Sequence, residues 1–247
     1  MTDRDTLCGW GDARKLAYFA ANHDVIIPRR DEQLATVVEL IPYSRNEAIR
    51  VLDLGCGFGA LTEAVLNAYP QATVTAVDGS PAALTAARDY LRARAVRVHL
   101  ELRDLADPQW HEGIAGPFAA IVSALAIHHL SDERKAALYR EIRELLEPGG
   151  IFMNNEIVAS PPALRERFES AAMATIQAQE RAKRGRSRSL EELRRELDEH
   201  MRSAPATPHP SIPPLARQLA WLNDAGFASV DCYWRYLDFA IVGGVRQ

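Results

Sequence analysis

The stretch Val51-Leu-Asp-Leu-Gly-Cys-Gly-Phe-Gly-Ala60 limits the architectures open to this chain more than any other. A short buried strand runs into a turn of alternating glycines, and a helix opens directly behind it. Glycine lets such a turn adopt left-handed backbone and lets main chain approach a ligand at the carboxyl end of the strand. Short apolar runs at Arg50–Leu54, Thr73–Val77, Ala119–Ser123 and Ile151–Asn155, with a weaker one at Val96–Leu100, read as further buried parallel strands. Helical stretches alternate with them. Ala60–Ala68 follows the glycines, and Pro81–Arg94 has Ser80 as N-cap and proline at its first position. Asp132–Leu146 is stopped by Pro148-Gly149-Gly150. This order predicts an α/β fold, a right-handed and mostly parallel sheet with helices on both faces.

Two regions stand outside the alternation. Residues 1–49 read as helices with Trp10, Tyr18 and Phe19 and a break at Pro28. Residues 160–213 carry an amphipathic helix (Leu164, Phe168, Ala171, Ala172), a basic run, a helix at Leu190–Met201 and a proline-rich loop. Both are expected to be lid material over the open edge of the sheet. The chain then returns with a helix at Leu215–Asp224, the turn Ala225-Gly226-Phe227 and closing strands at Val230–Arg235 and Leu237–Val242. The expected organisation is a helical lid at 1–49, a ligand-binding core at 50–159, a helical insertion at 160–213, and at 214–247 the helix and strands that close the core.

Composition narrows the function classes. Hydrophobic residues at 47% exclude disorder, and a net charge of −4 with a pI near 6.0 speaks against a strongly cationic nucleic-acid binder. The basic run holds Lys183, Arg184, Arg186, Arg188, Arg194 and Arg195, but Glu191, Glu192 and Glu196 interleave with it and no aromatic platform is near. It reads as a solvated helix, and no nucleic-acid partner is expected. The longest apolar run, Phe118 to Ile127, is too short to cross a membrane, for which about 20 residues are needed. Cys8, Cys56 and Cys232 form no CxxC or zinc-like spacing, so reduced thiols and no metal are expected. Met1-Thr-Asp-Arg-Asp opens without an apolar signal segment, and a cytoplasmic location is expected.

The glycine turn alone does not name its ligand. Gly55, Gly57 and Ala60 also satisfy the dinucleotide form of the loop, which makes NAD the competing ligand. Asp53 at the tip of the first strand decides against it, because a carboxylate there repels a pyrophosphate and attracts a cation. Asp78 ends the second strand, where a carboxylate can hold ribose hydroxyls.

Five ordered motifs then resemble those of class I S-adenosylmethionine (AdoMet) methyltransferases. They are Asp53-x-Gly55-x-Gly57-x-Gly59, Val77-Asp78, Arg103-Asp104-Leu105, the run from Ile121 to Leu130, and Leu146-Glu-Pro-Gly-Gly150. The resemblance covers about residues 50 to 157 and resumes at Leu222-Asn-Asp-Ala-Gly-Phe227. It implies a Rossmann-like seven-stranded sheet with one antiparallel closing strand, AdoMet as cofactor, and methyl transfer. It implies that Asp53 and the Gly55–Gly59 loop hold the methionine moiety, with Cys56 a small filler in that loop. Asp78 would take the ribose diol, Gly79 would leave room for the purine, and Asp104 with Leu105 would lie beside the adenine. Ser123 and Ala124 would flank the methionine chain and face the acceptor.

His128 and His129 follow that strand, where a histidine can remove a proton from an acceptor; the alternative is that they cap or pack the next turn. A metal reading is set aside because neighbouring histidines are expected to point apart. The ends of the chain also resemble, more loosely, the carboxy-AdoMet synthase and methyltransferase group of tRNA wobble-uridine modification. In that group an arginine four residues before the Ala-Gly-Phe alanine holds the extra carboxylate. Here Trp221 stands in its place and cannot form the bidentate bond; Arg217 lies one helical turn earlier.

A small-molecule methyl acceptor with an O, N or C nucleophile is therefore expected, in a pocket drawn from Trp10, Tyr18, Arg29, Arg30, Asn154, Glu156, Trp221 and Tyr233. The synthase and a non-catalytic AdoMet-binding regulator are the alternatives, and a homodimer is left open.

Overall fold

The computed structural model describes residues 12–201 and 212–247. Seven strands form one sheet in the order β3-β2-β1-β4-β5-β7-β6. They are β1 (Arg50–Leu54), β2 (Thr73–Asp78), β3 (Val98–Leu102), β4 (Phe118–Ala124), β5 (Leu146–Ile157), β6 (Ala228–Tyr236) and β7 (Phe239–Val245). Strands β1 to β5 run parallel, and β7 lies antiparallel between β5 and β6. The reversal follows from the two-residue turn Leu237-Asp238, since strands joined so tightly can pair only as a hairpin. Strand order reverses between β1 and β4, and this opens a crevice at their carboxyl ends.

Alternation along the strands builds two cores. Val51, Val74, Val122 and Met153 meet α2 (Arg30–Glu39), α3 (Ala60–Ala68) and α4 (Pro81–Tyr90) through Val37, Val65, Leu66 and Leu84. Leu52, Leu54, Ile121 and Phe152 face the other way, onto α5 (Asp132–Leu145) and α8 (Leu215–Asp224) through Leu138, Tyr139 and Leu222. The bounds of β1, α3 and α8 are those expected from sequence. Two others move. The helix expected to reach Arg94 stops at Tyr90 and tightens into a 3-10 turn over Arg92–Arg97, and β3 starts two residues late. Arg97 drives this by donating to the carbonyls of Leu66, Tyr69 and Ala72 at the end of α3. Strand β5 begins at Leu146 rather than Ile151, because Gly149 and Gly150 exchange backbone bonds with Arg246.

Three helices, α1 (Ala13–Ile26), α6 (Arg165–Arg184) and α7 (Leu190–Met201), pack on one another around Val25, Met173, Ile176 and Leu193. Lys183 and Arg184 pair with Asp31 and Asp24, and Arg188 with Glu180 and Glu196. Half of the basic side chains in that run therefore serve to tie these helices together. No helix among the described residues is long and apolar enough to cross a membrane.

Candidate functional site at the strand tips

The glycine turn is shaped by close approach on one side and by open space on the other. Gly55, Gly57 and Gly59 have φ of +66°, +57° and +98°, in the left-handed region that side chains resist. A Cβ on Gly55 would stand 2.2 Å from the Ala126 Cβ, so the turn is pressed against the loop after β4. A Cβ on Gly57 would meet nothing within 4 Å, so this residue borders the crevice. Cys56 turns its side chain into the core and binds the Val77 carbonyl through its N–H, and burial pushes its thiol well above the ordinary range.

Two carboxylates define the floor. Asp78 accepts the Gly57 N–H at 2.9 Å and the Ser80 N–H at 2.8 Å, which fixes the turn and leaves each oxygen a second lone pair for a diol. Asp53 is 1% exposed; its Oδ2 accepts from the Thr62 hydroxyl at 2.6 Å, while its Oδ1 is buried without a partner. Burial pushes Asp53 up to about 7. Gly79 separates Asp78 from the Ser80 that caps α4.

Beyond the end of β3, Asp104 is exposed and accepts the Ala106 N–H in a local turn, whereas the Leu105 side chain is buried. Arg134 of α5 holds this loop by donating from Nε to the Leu105 carbonyl, and it is itself gripped by both oxygens of Glu141 at 2.7 Å. Trp110 Nε1 donates to the same carboxylate. Nothing in the local pattern near Arg134 marks this clamp.

At the tip of β4, Ser123 is fully buried and donates to the Leu54 carbonyl at 2.9 Å, so it ties β4 to β1; Ala124 follows it at the rim. Leu125, at φ 58°, turns the chain into the short helical turn Ile127–His129. There His128 meets Glu156 from the end of β5. One carboxylate oxygen accepts the His128 N–H at 2.7 Å, and the other lies 2.5 Å from Nδ1 and also accepts the Ile157 N–H. A carboxylate only accepts, so Nδ1 carries the proton, and in that tautomer the lone pair is on Nε2. Glu156 is 1% exposed and braces the imidazole rather than facing an acceptor directly. The rings of His128 and His129 do not point apart; their centroids are 3.9 Å from each other at 48°. No group of three or more metal-ligating side chains occurs among the described residues.

Other residues expected around an acceptor are placed elsewhere. Trp221 sits in the apolar core beneath α8 with Arg217 over its ring, because the residue before Leu222 lies on the sheet-facing side of that helix. Asn154 is buried on the same face and donates to the Tyr139 hydroxyl. Tyr233, partway along β6, turns its hydroxyl back to the Ser229 carbonyl, away from the tips. Tyr18 stacks on His200 and donates to Glu196 inside the α1–α6–α7 cluster. Arg29 is exposed, paired with Glu32 and laid over the Tyr236 ring. Trp10 lies outside the described residues.

Arg30, by contrast, is 4% exposed, and its Nε has no partner. Sequence reasoning also missed Tyr236, which ends β6 at the tips and shares a 2.7 Å hydrogen bond with Thr175 of α6. The ring of Phe58 in the glycine turn is covered by His23, Phe19 and Tyr90 at 4.9, 6.1 and 5.2 Å, which seats α1 on the turn.

The strand tips thus gather two carboxylates, Asp53 and Asp78, and an imidazole braced by a third, Glu156. Residues 51–150 match a family described as a methyltransferase domain. The release factor glutamine methyltransferase of Bordetella pertussis is 40% identical over 97 residues, 39% of this chain and 34% of that protein. The carboxy-S-adenosyl-L-methionine synthase of Aeromonas hydrophila is 28% identical over 80% of this chain and 74% of its own. A putative O-methyltransferase structure from Nostoc punctiforme superposes with a TM-score of 0.64 at 15% identity, over 94% of this chain and 60% of that one. The chain spans only 34% and 38% of the lengths of two release factor methyltransferases it resembles.

Proposed function

We propose, from the match of residues 51–150 to a methyltransferase-domain family, that the protein is a class I AdoMet-dependent methyltransferase that methylates a small molecule through an oxygen or nitrogen atom. The residues fit the cofactor: an unpaired buried oxygen on Asp53 suits its ammonium, Asp78 suits a diol, and the bare face of Gly57 leaves room for it. AdoMet, when bound, supplies a methyl group already activated on a sulfonium. The chain's own task is then to align the acceptor, exclude water and take up its proton.

The observation that carries the reading is the His128–Glu156 pair. Glu156 fixes the tautomer, so Nε2 receives the acceptor proton, and the carboxylate stabilises the imidazolium that forms. Helices α1 and α6 supply the cover over the site, through Phe19 and His23 on the glycine turn and Thr175 on Tyr236. One relative, the ubiquinone biosynthesis O-methyltransferase of Xanthomonas campestris, is 32% identical over 46% of this chain. The wide match to the carboxy-AdoMet synthase favours that enzyme as the second reading. Against it, Trp221 is buried in the core where that group has its carboxylate-binding arginine, and Arg217 packs on it.

The test has two parts. Mass spectrometry of ligand carried through purification should find AdoMet or its demethylated product; carboxylated AdoMet would overturn methyl transfer. A panel of phenols, hydroxy acids and amines should then yield a methylated product, with single-turnover rates falling roughly 10²–10⁴-fold in His128→Asn while AdoMet affinity holds. Rates within a few-fold of wild type would remove His128 as the base. Tight AdoMet binding with no turnover across the panel would favour a regulator.

A further inference from the structure

Arg30 is the least expected charge in the fold. It opens α2, outside the residues that match the methyltransferase family, yet it is buried at 4% exposure beside the tip of β1. Its nearest polar partner is Gln33, at 3.5 Å from Nη1. The same Gln33 oxygen accepts from Asn155 at the end of β5 at 2.9 Å, and the Gln33 amide donates to the Pro28 carbonyl. Gln33 therefore bolts the start of α2 to the end of β5, and Arg30 beside it is held inside the fold rather than free to reach solvent.

Asp53 is the leading opposite charge that Arg30 senses, but the two form no ion pair within 4 Å. Each instead keeps a buried polar atom without a partner, Nε on Arg30 and Oδ1 on Asp53. An unpaired buried charge is costly, and a facing pair of opposite sign would ordinarily collapse together. Burial lowers Arg30 to about 10, which leaves it cationic at neutral pH. A buried cation and a buried anion that sense each other without pairing are complementary to a ligand that carries both charges on neighbouring atoms. An α-amino acid zwitterion does so.

We propose that Arg30 reads the α-carboxylate of the methionine end of the cofactor while Asp53 reads its ammonium, so that the site selects a zwitterion rather than a simple sulfonium. The assignment rests on the AdoMet reading above. It moves Arg30 from the acceptor pocket to the cofactor site. It also makes a lid element part of that site, since the neighbouring Arg29 N–H binds Gln179 of α6.

The test compares AdoMet with decarboxylated AdoMet, which keeps the ammonium and the sulfonium but lacks the carboxylate, by calorimetry on the full chain. Wild type should bind AdoMet roughly 10- to 100-fold more tightly, the range of one buried charge-assisted bond. Arg30→Gln should bring AdoMet down to the affinity of the decarboxylated ligand and leave the latter unchanged; Arg30→Lys should restore part of the difference. Equal affinities in wild type overturn the proposal, and so does a parallel loss of both ligands in Arg30→Gln. Should Arg30→Gln fail to fold, Arg30→Met, which keeps the buried volume without the charge, takes its place and should show the same loss of preference. If neither ligand binds, the AdoMet reading itself falls; binding without preference removes only the role of Arg30.

Discussion

Two glycines in one turn should respond to the same substitution in opposite ways. Gly55→Ala puts a methyl 2.2 Å from the Ala126 Cβ, more than an ångström inside ordinary carbon contact, in backbone already at φ +66°. Left-handed backbone costs an alanine about 1–2 kcal/mol and overpacking a further 1–3, together roughly 2–5 kcal/mol. For a chain of this size that corresponds to a melting point lower by roughly 5–15 °C. Gly57→Ala carries the same backbone cost at φ +57°, but its methyl meets no atom within 4 Å. Its melting point should fall by only about 2–6 °C. The methyl does project into the crevice, and AdoMet affinity should drop at least roughly 10-fold, since a well-packed site tolerates little added volume. Thermal melts and calorimetry with AdoMet on both variants test this. Near-wild-type binding by Gly57→Ala would place the cofactor elsewhere and sink the account of the turn.

Three further outcomes follow from the same geometry. Asp53 is raised to about 7 by burial, so below that pH it is protonated and cannot attract an ammonium; AdoMet affinity should climb with pH, by up to about tenfold per unit, and level off above about 7. The folded state binds this proton more tightly than the unfolded chain does, so Asp53 lowers the stability of the ligand-free protein as pH rises from about 4 through 7. Calorimetry in buffers of different ionisation heat should register up to about one proton released per AdoMet near pH 6, and no release would contradict the assignment. Glu156→Gln sets an amide NH2 against the N–H of either His128 or Ile157; denaturant melts should show a loss of about 1–3 kcal/mol, with nitrogen NMR showing the Nδ1–H tautomer depleted and AdoMet affinity unchanged. Arg134→Lys removes the two-pronged grip on Glu141 and should weaken AdoMet binding about 3- to 10-fold by loosening the 104–107 loop; an unchanged affinity would make the clamp irrelevant to the cofactor.

Elements whose signals are local could be read from the residues alone. The limits of β1 and α3 follow from a buried run ending in glycine turns, and those of α8 from Pro214 before it and Gly226 just beyond its end. Asp53 and Asp78 were legible for the same reason, since one is the last residue but one of β1, the other ends β2, and the order of strands places both tips at one crevice. Whatever depends on which distant residues share a face emerged only on folding. Glu156 reaches His128 only because the β4–β5 register sets Ser123 beside Asn154 and Ala124 beside Asn155, so that β5 runs on beneath the next turn. One residue of slip would have sent Glu156 to the opposite side of the sheet. The same alternation turned Asn154 toward Tyr139 and Asn155 toward Gln33, and Gln33 in turn holds Arg30 at the start of α2. Trp221 and Tyr233 looked equally suited to a pocket in the sequence, where an aromatic residue carries no mark of the neighbours that will bury it. Packing against Leu222 and the sheet took the first into the core, and the Ser229 carbonyl drew the hydroxyl of the second away from the tips.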